Sequence, residues 1–178
     1  MKEIQNDFIS ADYSVPKSPS LYLKFEDGDT KFMPLQSVIV GFQYWTSDNK
    51  PVRLKEKPEG VPSDIKIVDG SPDKISPFWA FPVWNYDEKR VQVLEITQKT
   101  IMTPLLSLVR NEDWGNPVLN YSITVNRVGE KFETKYSVMP NPVKDVPVEI
   151  TEAWEEVKKN DFDITRLFVS GDPFNKEA

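Results

Sequence analysis

The sequence of 178 residues contains no cysteine and no histidine. Without cysteine the chain can form no disulfide bridge, thiolate nucleophile or zinc–thiolate site. Without histidine it lacks the commonest general base, the usual proton acceptor of a catalytic serine and the commonest metal ligand. Most familiar enzyme chemistries are therefore excluded, and we expect a protein that is not an enzyme and has no catalytic residue, metal or cofactor.

Long apolar runs are also missing. No stretch approaches the roughly 20 apolar residues that a helix needs to cross a bilayer, and the opening MKEIQNDFIS has no secretory signal. Hydrophobic residues make up 39 % of the chain and charged residues 28 %, which is too apolar for a disordered chain and too polar for a membrane protein. We therefore expect a soluble intracellular domain with no membrane association.

The acidic excess is unevenly distributed. The chain has 28 acidic and 22 basic residues, a net charge of −6, and residues 146–178 hold 8 of the acidic and 4 of the basic ones. The body of the chain, residues 20–145, is near neutral and can still contain a local basic groove. The overall acidity counts against indiscriminate binding of duplex DNA.

Glycine is scarce, with 7 residues, whereas proline is abundant, with 15. Prolines end helices and are unfavourable in central strands, so their clusters indicate loops. The segment 46–77 has no aromatic residue and contains five prolines: Pro51, Pro58, Pro62, Pro72 and Pro77. A segment this long without regular structure is usually functional or disordered. We interpret 46–77 as one large loop insertion.

The rest of the body has mostly β-type patterns. Residues 21–25 and 30–36 flank the turn sequence Glu-Asp-Gly-Asp, which predicts a hairpin. Residues 38–45 (VIVGFQYW) continue as a strand, in which Gly41 indicates a bulge or a sharp bend.

Four further strands and one helix complete the body. Residues 78–86 and 90–97 are predicted strands joined by a polar turn, and 119–127 and 131–139 are predicted to form a second hairpin. Between the two strand pairs, residues 98–110 keep apolar residues at helical spacing.

If the segments within 21–45 are counted as one long bent first strand, the order is that strand, a hairpin, a helix and a final hairpin, that is, three strands, one helix and two strands. This is the order of the five-stranded OB-type Greek-key barrel, which places one helix between strands 3 and 4. We therefore predict an all-β-dominated fold with an N-terminal arm (1–19), an OB-fold domain (20–145) and a C-terminal helical segment (146–178). A β-sandwich is the alternative, but it would not explain a single helix at this position.

The C-terminal segment changes to helical patterning. Residues 148–159 place apolar side chains on one helix face, namely Ile150, Ala153, Trp154 and Val157. A second apolar patch follows: Phe162, Ile164, Leu167 and Phe168. We expect both to pack as additional helices, and the residues after Ser170 to form a short, free acidic tail.

The segment FWAFPVWNY (78–86) holds five of the 21 aromatic residues. Alternate side chains of a strand face opposite sides, so Trp79 and Phe81 share one face while Phe78, Trp84 and Tyr86 share the other. Both faces are apolar, yet only one can line the interior of a small barrel. The other face is either covered by the insertion or exposed as a platform for base stacking, and both interpretations stay open.

Cations accompany the aromatic residues. Alternating cations of an extended segment lie on one side and suit contact with a phosphate backbone, which is the pattern of Arg53, Lys55 and Lys57. Lys89 and Arg90 open the strand after the aromatic segment.

A second group of cations surrounds the last turn. Lys131 and Lys135 are expected to share one face of the last strand, with Arg127 across the turn. Rings that stack bases and cations that contact phosphates together form a groove for single-stranded nucleic acid. The alternative, typical of any single lysine, is a solvated edge.

Three segments in this order resemble phage-encoded single-stranded-DNA-binding proteins: LYLKFEDGDTKFMPL…VIVGFQYW, SPFWAFPVWNYDEKRVQVLEITQKTI and DWGNPVLNYSITVNRVGEKFETKYSVMPNP. The resemblance implies an OB fold that coats DNA strands exposed during replication and recombination. It places six residues on or near the DNA: Trp79, Trp84, Tyr86, Arg90, Lys135 and Tyr136. Some members of this broader class hold a structural zinc with cysteine and histidine, so this chain would be a metal-free variant.

The resemblance and the residue patterns together predict sequence-independent binding of single-stranded DNA in the cytoplasm of an infected bacterium. The predicted site comprises Arg53, Lys55, Trp79, Trp84, Tyr86, Lys89, Arg90, Arg127, Lys131, Lys135 and Tyr136. The acidic tail would dock replication proteins and compete with DNA for the groove. The sequence leaves open DNA or RNA as ligand, and a monomer or a dimer.

Two other functions are weighed against DNA binding. An OB-fold protein-interaction module, or a virion accessory subunit, would use the aromatic face to receive another polypeptide. Carboxylates at Glu112 and Asp113, or at Asp161 and Asp163, are candidates for binding a divalent cation as nuclease sites do. Adjacent carboxylates in polar loops are more often turn and cap residues, so we expect no enzyme.

Overall fold

The computed structural model describes residues 9–10, 12–16, 20–114, 121–143 and 145–174. Within these ranges the chain forms nine β-strands: β1 (Gly28–Pro34), β2 (Ile39–Trp45), β3 (Pro51–Leu54), β4 (Ile67–Val68), β5 (Ser71–Pro72), β6 (Ser76–Asn85), β7 (Arg90–Ile96), β8 (Tyr121–Val128) and β9 (Lys135–Pro142). The helices in the same ranges are α1 (Lys99–Arg110), α2 (Val148–Lys159) and three short 3-10 helices, Glu112–Trp114, Lys131–Glu133 and Ile164–Val169. No described helix is long and apolar enough to span a membrane.

Strand β6 is the centre of an antiparallel sheet that has seven strands in the described part of the chain. One edge of β6 pairs with β7, while the other edge pairs first with β2 and then with β1. β3 extends the sheet beyond β2, and β8 and β9 extend it beyond β1. The prediction of a strand-dominated fold is confirmed, but this sheet has more than five strands and does not close into a barrel.

Pro82 lies at the point where β6 changes partners on one edge. β2 pairs with residues up to Ala80 and β1 begins its pairing at Val83, so the sheet branches beside Pro82. The carbonyl of Pro82 accepts a hydrogen bond of 3.0 Å from the amide of Leu35, in the connection between β1 and β2. A proline, which has no amide N–H, is tolerated within this central strand because no ladder donor is needed at the branch.

The predicted hairpin of residues 21–25 with 30–36 is wrong. β1 pairs with β6 along one edge and with β8 along the other, so neither edge is free for residues 21–25. That segment instead runs beside β7, where Tyr22 forms a parallel bridge with Val93. The side-chain amide of Gln92 donates to the carbonyl of Ser20 at 2.8 Å and holds the start of the segment against β7.

The interpretation of residues 46–77 as one structureless insertion is also wrong. β3 pairs with β2 over four residues, and β4 and β5 form a small separate hairpin. Ile65 is buried and bridges to Thr46, which ties the start and the middle of this segment together. The segment therefore contains one strand that extends the sheet, β3, and a separate two-stranded hairpin.

Gly41 occupies an unbroken register opposite Phe78 and marks neither a bulge nor a bend. A Cβ atom at this position would lie 2.2 Å from the carbonyl oxygen of Leu54 and 2.9 Å from a ring carbon of Phe168. Glycine is required here because two other parts of the chain approach its backbone closely.

The predicted strands 78–86 and 90–97 are confirmed as β6 and β7, and the predicted helix 98–110 as α1. The predicted hairpin of 119–127 with 131–139 is confirmed as β8 and β9, but the connection is longer than the sequence indicated. It includes the 3-10 helix Lys131–Glu133, and residues 119–120 lie outside the described residues.

Along β6, both faces of the sheet are covered by other parts of the chain. On one face, Phe81 and Val83 pack in a core with Ile101 and Leu105 of α1. On the other face, Trp84 packs with Ile150 of α2. The predicted helix 148–159 is confirmed with the same bounds, and its apolar stripe faces the sheet.

The end of the described chain is packed as well. The amide of Asp163 donates to the carbonyl of Pro173 at 2.9 Å, and the rings of Phe162 and Phe174 lie 5.2 Å apart. The prediction of a free tail after Ser170 is therefore wrong for residues 171–174. Residues 175–178 lie outside the described residues, as do residues 1–8, 11 and 17–19 of the predicted arm.

We expect Gly41→Ala to destabilise the protein, because the new methyl group would overlap the Leu54 carbonyl. Overpacking of this kind costs about 1–3 kcal/mol, which urea unfolding would measure as a lower midpoint. Gly60→Ala is the matched control, since a Cβ there meets no atom within 4 Å. Equal midpoints for the two variants would contradict this account of Gly41.

Candidate nucleic-acid interface

The aromatic strand does not form an exposed stacking platform. Phe78 is completely buried and Trp84 is only 3 % exposed, beneath the C-terminal helices. Phe81 and Val83 are buried on the opposite face. The interpretation of this strand as a surface for bases is therefore wrong, and Trp84 in particular has no ring face available to a ligand.

Trp79 and Tyr86, the other predicted aromatic site residues of this strand, are half-buried. Trp79 packs against the core that includes α1. The ammonium group of Lys31 lies 4.5 Å from the ring centre of Tyr86. Burial raises the pKa of the Tyr86 hydroxyl, and a hydrogen bond with Ser122 opposes the shift.

Arg53 belongs to a partly buried network and not to a row of free cations. One of its terminal nitrogens lies 2.8 Å from Glu95 Oε2, and its Nε donates to Gln43 Oε1 at 3.2 Å. Its guanidinium also lies 5.2 Å from the ring centre of Phe78. Lys55 is exposed, with its Nζ 5.8 Å from the ring centre of Phe168.

A cleft of about 550 Å³ brings together residues from four separate parts of the chain. It is lined by Ser20, Tyr22, Leu23, Lys24, Phe25, Arg53, Glu95, Gln98 and Tyr136. Three of these side chains carry rings, two are cations and one is an acid. Arg53 and Tyr136 are the two predicted site residues that the structure brings together here.

Arg127 is the cross-strand neighbour of Tyr136, one of the cleft residues. It lies directly opposite Tyr136 in the pairing of β8 with β9, so the two side chains share a sheet face. The rings of Tyr136 and Phe25 meet edge to face with their centres 6.2 Å apart. One guanidinium nitrogen of Arg127 lies 3.5 Å from Asp27, a pair that is exposed on the aspartate side.

Glu95 is the acidic member of the cleft. Burial raises the pKa of its carboxyl above the ordinary value, and the neighbouring Arg53 partly offsets that shift. The pKa of the Tyr22 hydroxyl is raised as well, chiefly by burial and to a smaller extent by the negative charge of Glu95. Because the Glu95 carboxylate lies 2.8 Å from the Arg53 guanidinium, it competes with any anionic ligand for Arg53.

The remaining predicted cations lie elsewhere. Lys89 and Arg90 line a separate hollow of about 440 Å³, and two carboxylates of α2, those of Glu149 and Glu156, line the same hollow. Lys131 is in the 3-10 helix between β8 and β9, and Lys135 begins β9. The prediction that these two lysines share a strand face is therefore wrong.

Asp161 and Asp163, one of the two carboxylate pairs considered for a divalent cation, have other roles. Asp163 accepts hydrogen bonds from the amide and the hydroxyl of Thr165, at 2.9 and 2.6 Å, and these bonds lower the pKa of its carboxyl. Asp161 pairs with Arg166 at 2.8 Å. The described residues contain no group of three or more acidic side chains placed to hold a metal ion.

The sequence interpretation missed seven of the nine cleft residues, and three of them are Tyr22, Lys24 and Phe25. They were assigned to a hairpin strand, although the alternation of Tyr22 and Lys24 with Leu23 and Phe25 indicates a two-sided segment. Leu23 is buried in the core, while Lys24 is exposed.

Comparison of the chain with protein-family models, with curated proteins and with solved structures finds no match. The resemblance to phage single-stranded-DNA-binding proteins therefore stays a prediction from the sequence.

Because Trp84 is buried, we expect Trp84→Ala to lower the free energy of unfolding by about 3–5 kcal/mol, as is typical of large core residues. Trp45→Ala is the matched control, because Trp45 is 41 % exposed and should change stability much less. Thermal unfolding of both variants gives the comparison. A stable Trp84→Ala protein would contradict the burial of this ring.

The raised pKa of Glu95 has a consequence for stability. The folded state binds the Glu95 proton more tightly than the unfolded state does, so this group stabilises the fold at low pH and loses that contribution as pH rises through its raised pKa. We expect the unfolding free energy of the native protein to fall relative to that of Glu95→Gln over this interval. Denaturant unfolding at several pH values would show it, with Glu59→Gln as an exposed control; parallel profiles for native and Glu95→Gln proteins would contradict it.

Proposed function

We propose that the protein binds single-stranded DNA without sequence preference, with the cleft between residues 20–25, β3, β7 and β9 as its binding site. One observation carries the proposal: three rings and two cations line one cleft. The rings are those of Tyr22, Phe25 and Tyr136, and the cations are Lys24 and Arg53; a third cation, Arg127, lies opposite Tyr136 in the pairing of β8 with β9. Rings stack on bases and cations contact phosphates, which together make a sequence-tolerant site for unpaired strands.

The order of elements supports the proposal at the level of architecture. Helix α1 follows β7 and precedes the β8–β9 hairpin, as the helix between strands 3 and 4 does in an OB-type fold. In this proposal the chain is an OB-related domain whose sheet is extended by further strands. In this proposal the protein protects single-stranded DNA during phage DNA replication and recombination, in the cytoplasm of the infected bacterium.

Unpaired strands fit the cleft better than a duplex does. A duplex presents phosphates outward and keeps its bases stacked inside, so the rings of Tyr22 and Tyr136 would have no base to contact. The net charge of −6 also disfavours binding driven by phosphate contacts alone. Stacking, worth about 1–3 kcal/mol per base, must therefore supply a large share of the affinity.

We expect Tyr136→Ala to weaken binding of oligothymidylate about tenfold, which corresponds to one lost stacking contact. Tyr136→Phe keeps the ring and should bind like the native protein. Fluorescence anisotropy of a labelled oligonucleotide measures the affinities, and thermal unfolding checks that each variant is folded. Equal affinity of Tyr136→Ala and the native protein would contradict the role of this ring.

Lys24 provides an independent test because it is exposed and its replacement leaves the core intact. We expect Lys24→Ala to weaken binding and to reduce the dependence of log affinity on log salt by about one. Lys159→Ala, at the exposed end of α2, is the control and should leave both unchanged. A native protein that binds no oligonucleotide at low salt would refute the proposal and favour the protein-interaction module.

A further inference from the structure

The two oxygens of the Glu95 carboxyl have different surroundings. Oε2 lies 2.8 Å from a terminal nitrogen of Arg53. Oε1 is buried and has no hydrogen-bond partner among the described residues. Because a buried carboxylate oxygen without a partner disfavours the ionised form, the negative charge of Glu95 depends on its contact with Arg53.

Other contacts hold the guanidinium of Arg53 independently of Glu95. Its Nε donates to Gln43 Oε1 at 3.2 Å. Gln43 is buried and lies directly opposite Arg53 in the pairing of β2 with β3. The guanidinium carbon also lies 5.2 Å from the ring centre of the buried Phe78. Arg53 can therefore stay at the cleft when its acidic partner is exchanged for another anion.

The charges of the cleft select an anion for that exchange. Lys24 and Arg53 are cations, and Glu95 is the one acidic side chain among the nine described residues that line the cleft. Two cations face one negative charge while Glu95 is ionised, and they face none once Glu95 carries a proton. The attraction of the cleft for a phosphate is therefore stronger when Glu95 is neutral.

The other titratable groups around Glu95 come from several elements. Tyr22 and Lys24 of residues 20–25 and Tyr136 of β9 line the same cleft as Arg53, and Asp172 acts on the Tyr22 hydroxyl. The sheet neighbour opposite Glu95 on β6 is Ala80, and the N-cap of α1 is Gln98, so neither adds a charge. Tyrosine, lysine and arginine ordinarily titrate at about pH 10 or above. Glu95 is therefore the member of the cleft lining whose charge changes at lower pH.

We propose that Arg53 binds a phosphate of the DNA strand in exchange for Glu95, and that the released carboxylate takes up a proton from solvent. In the exchange Oε2 leaves the guanidinium, a phosphate oxygen takes its place, and one O–H bond forms on the carboxyl group. This inference rests on the proposed function and deepens it, because it makes the affinity of the cleft depend on pH.

The direction of the pH dependence follows from linkage. Burial already raises the pKa of Glu95 in the free protein, and Arg53 partly offsets that shift. When a phosphate occupies Arg53, the offset is lost and the pKa rises further, so the complex holds more protons than the free protein. Affinity therefore increases as pH falls, by at most about tenfold per pH unit for a single proton, until Glu95 is protonated in the free protein as well.

The test is calorimetric titration of the full chain with oligothymidylate at low salt, in buffers of different ionisation enthalpy, from about pH 5 to 8. Thymine gains and loses no proton in this range, so the protons counted belong to the protein. We expect the native protein to take up a fraction of one proton on binding and to bind more weakly as pH rises.

Three variants assign the proton to Glu95, and thermal unfolding checks that each is folded. Glu95→Gln should take up no proton and, at the upper end of the pH range, should bind about fivefold more tightly than native, which is the upper end for a partly exposed ion pair. Glu59→Gln removes an exposed carboxylate outside the cleft and should keep the native proton uptake. Lys24→Ala should bind more weakly and keep the proton uptake.

Two results would overturn the inference while the proposed function stands. The first is binding by the native protein without proton uptake, a measurement that does not depend on the folding of any variant. The second is proton uptake by Glu95→Gln equal to that of the native protein. If the native protein binds no oligothymidylate at any of these pH values, the proposed function fails and this inference fails with it.

Discussion

The fold depends on one constraint, the burial of β6 on both of its faces. A strand with large apolar side chains on both sides is stable only between two layers, and the chain supplies one layer from α1 and the other from its C-terminal segment. Trp84 and Phe78 consequently serve as core residues. The surface available for binding is displaced from this strand to its surroundings, where residues 20–25 run beside β7.

Local patterns in the sequence were sufficient for most elements. The apolar runs of β6 and β7, separated by a polar turn, and the apolar stripe of α2 each depend on residues close together in the chain, so these elements could be predicted. The pairing partners of β1 could not be predicted, because no pattern within residues 28–34 indicates that one edge of this strand pairs with β6 and the other with β8. The turn sequence before β1 predicted a local hairpin, whereas β1 pairs with the distant strands β6 and β8.

The misread exposure of β6 has a related cause. The apolar stripe that contains Ile150 and Trp154 packs on the second apolar face of β6. Both apolar faces are visible in the sequence. Their packing on each other is not, because more than sixty residues separate Trp84 from Ile150. The cleft shows the same limit: Arg53 and Tyr136 were recognised individually, whereas their meeting with Tyr22 and Glu95 follows from the topology.

The position of α2 and the 3-10 helix after it also bears on biosynthesis. A ribosome delivers β6 well before residues 148–174, so Phe78, Trp84 and Val93 leave the exit tunnel without the layer that covers them. Until that layer arrives, the nascent chain presents an apolar surface of the kind that chaperones recognise. Emergence of residues 148–174 from the exit tunnel, and not synthesis of the sheet, is then the event that permits final compaction.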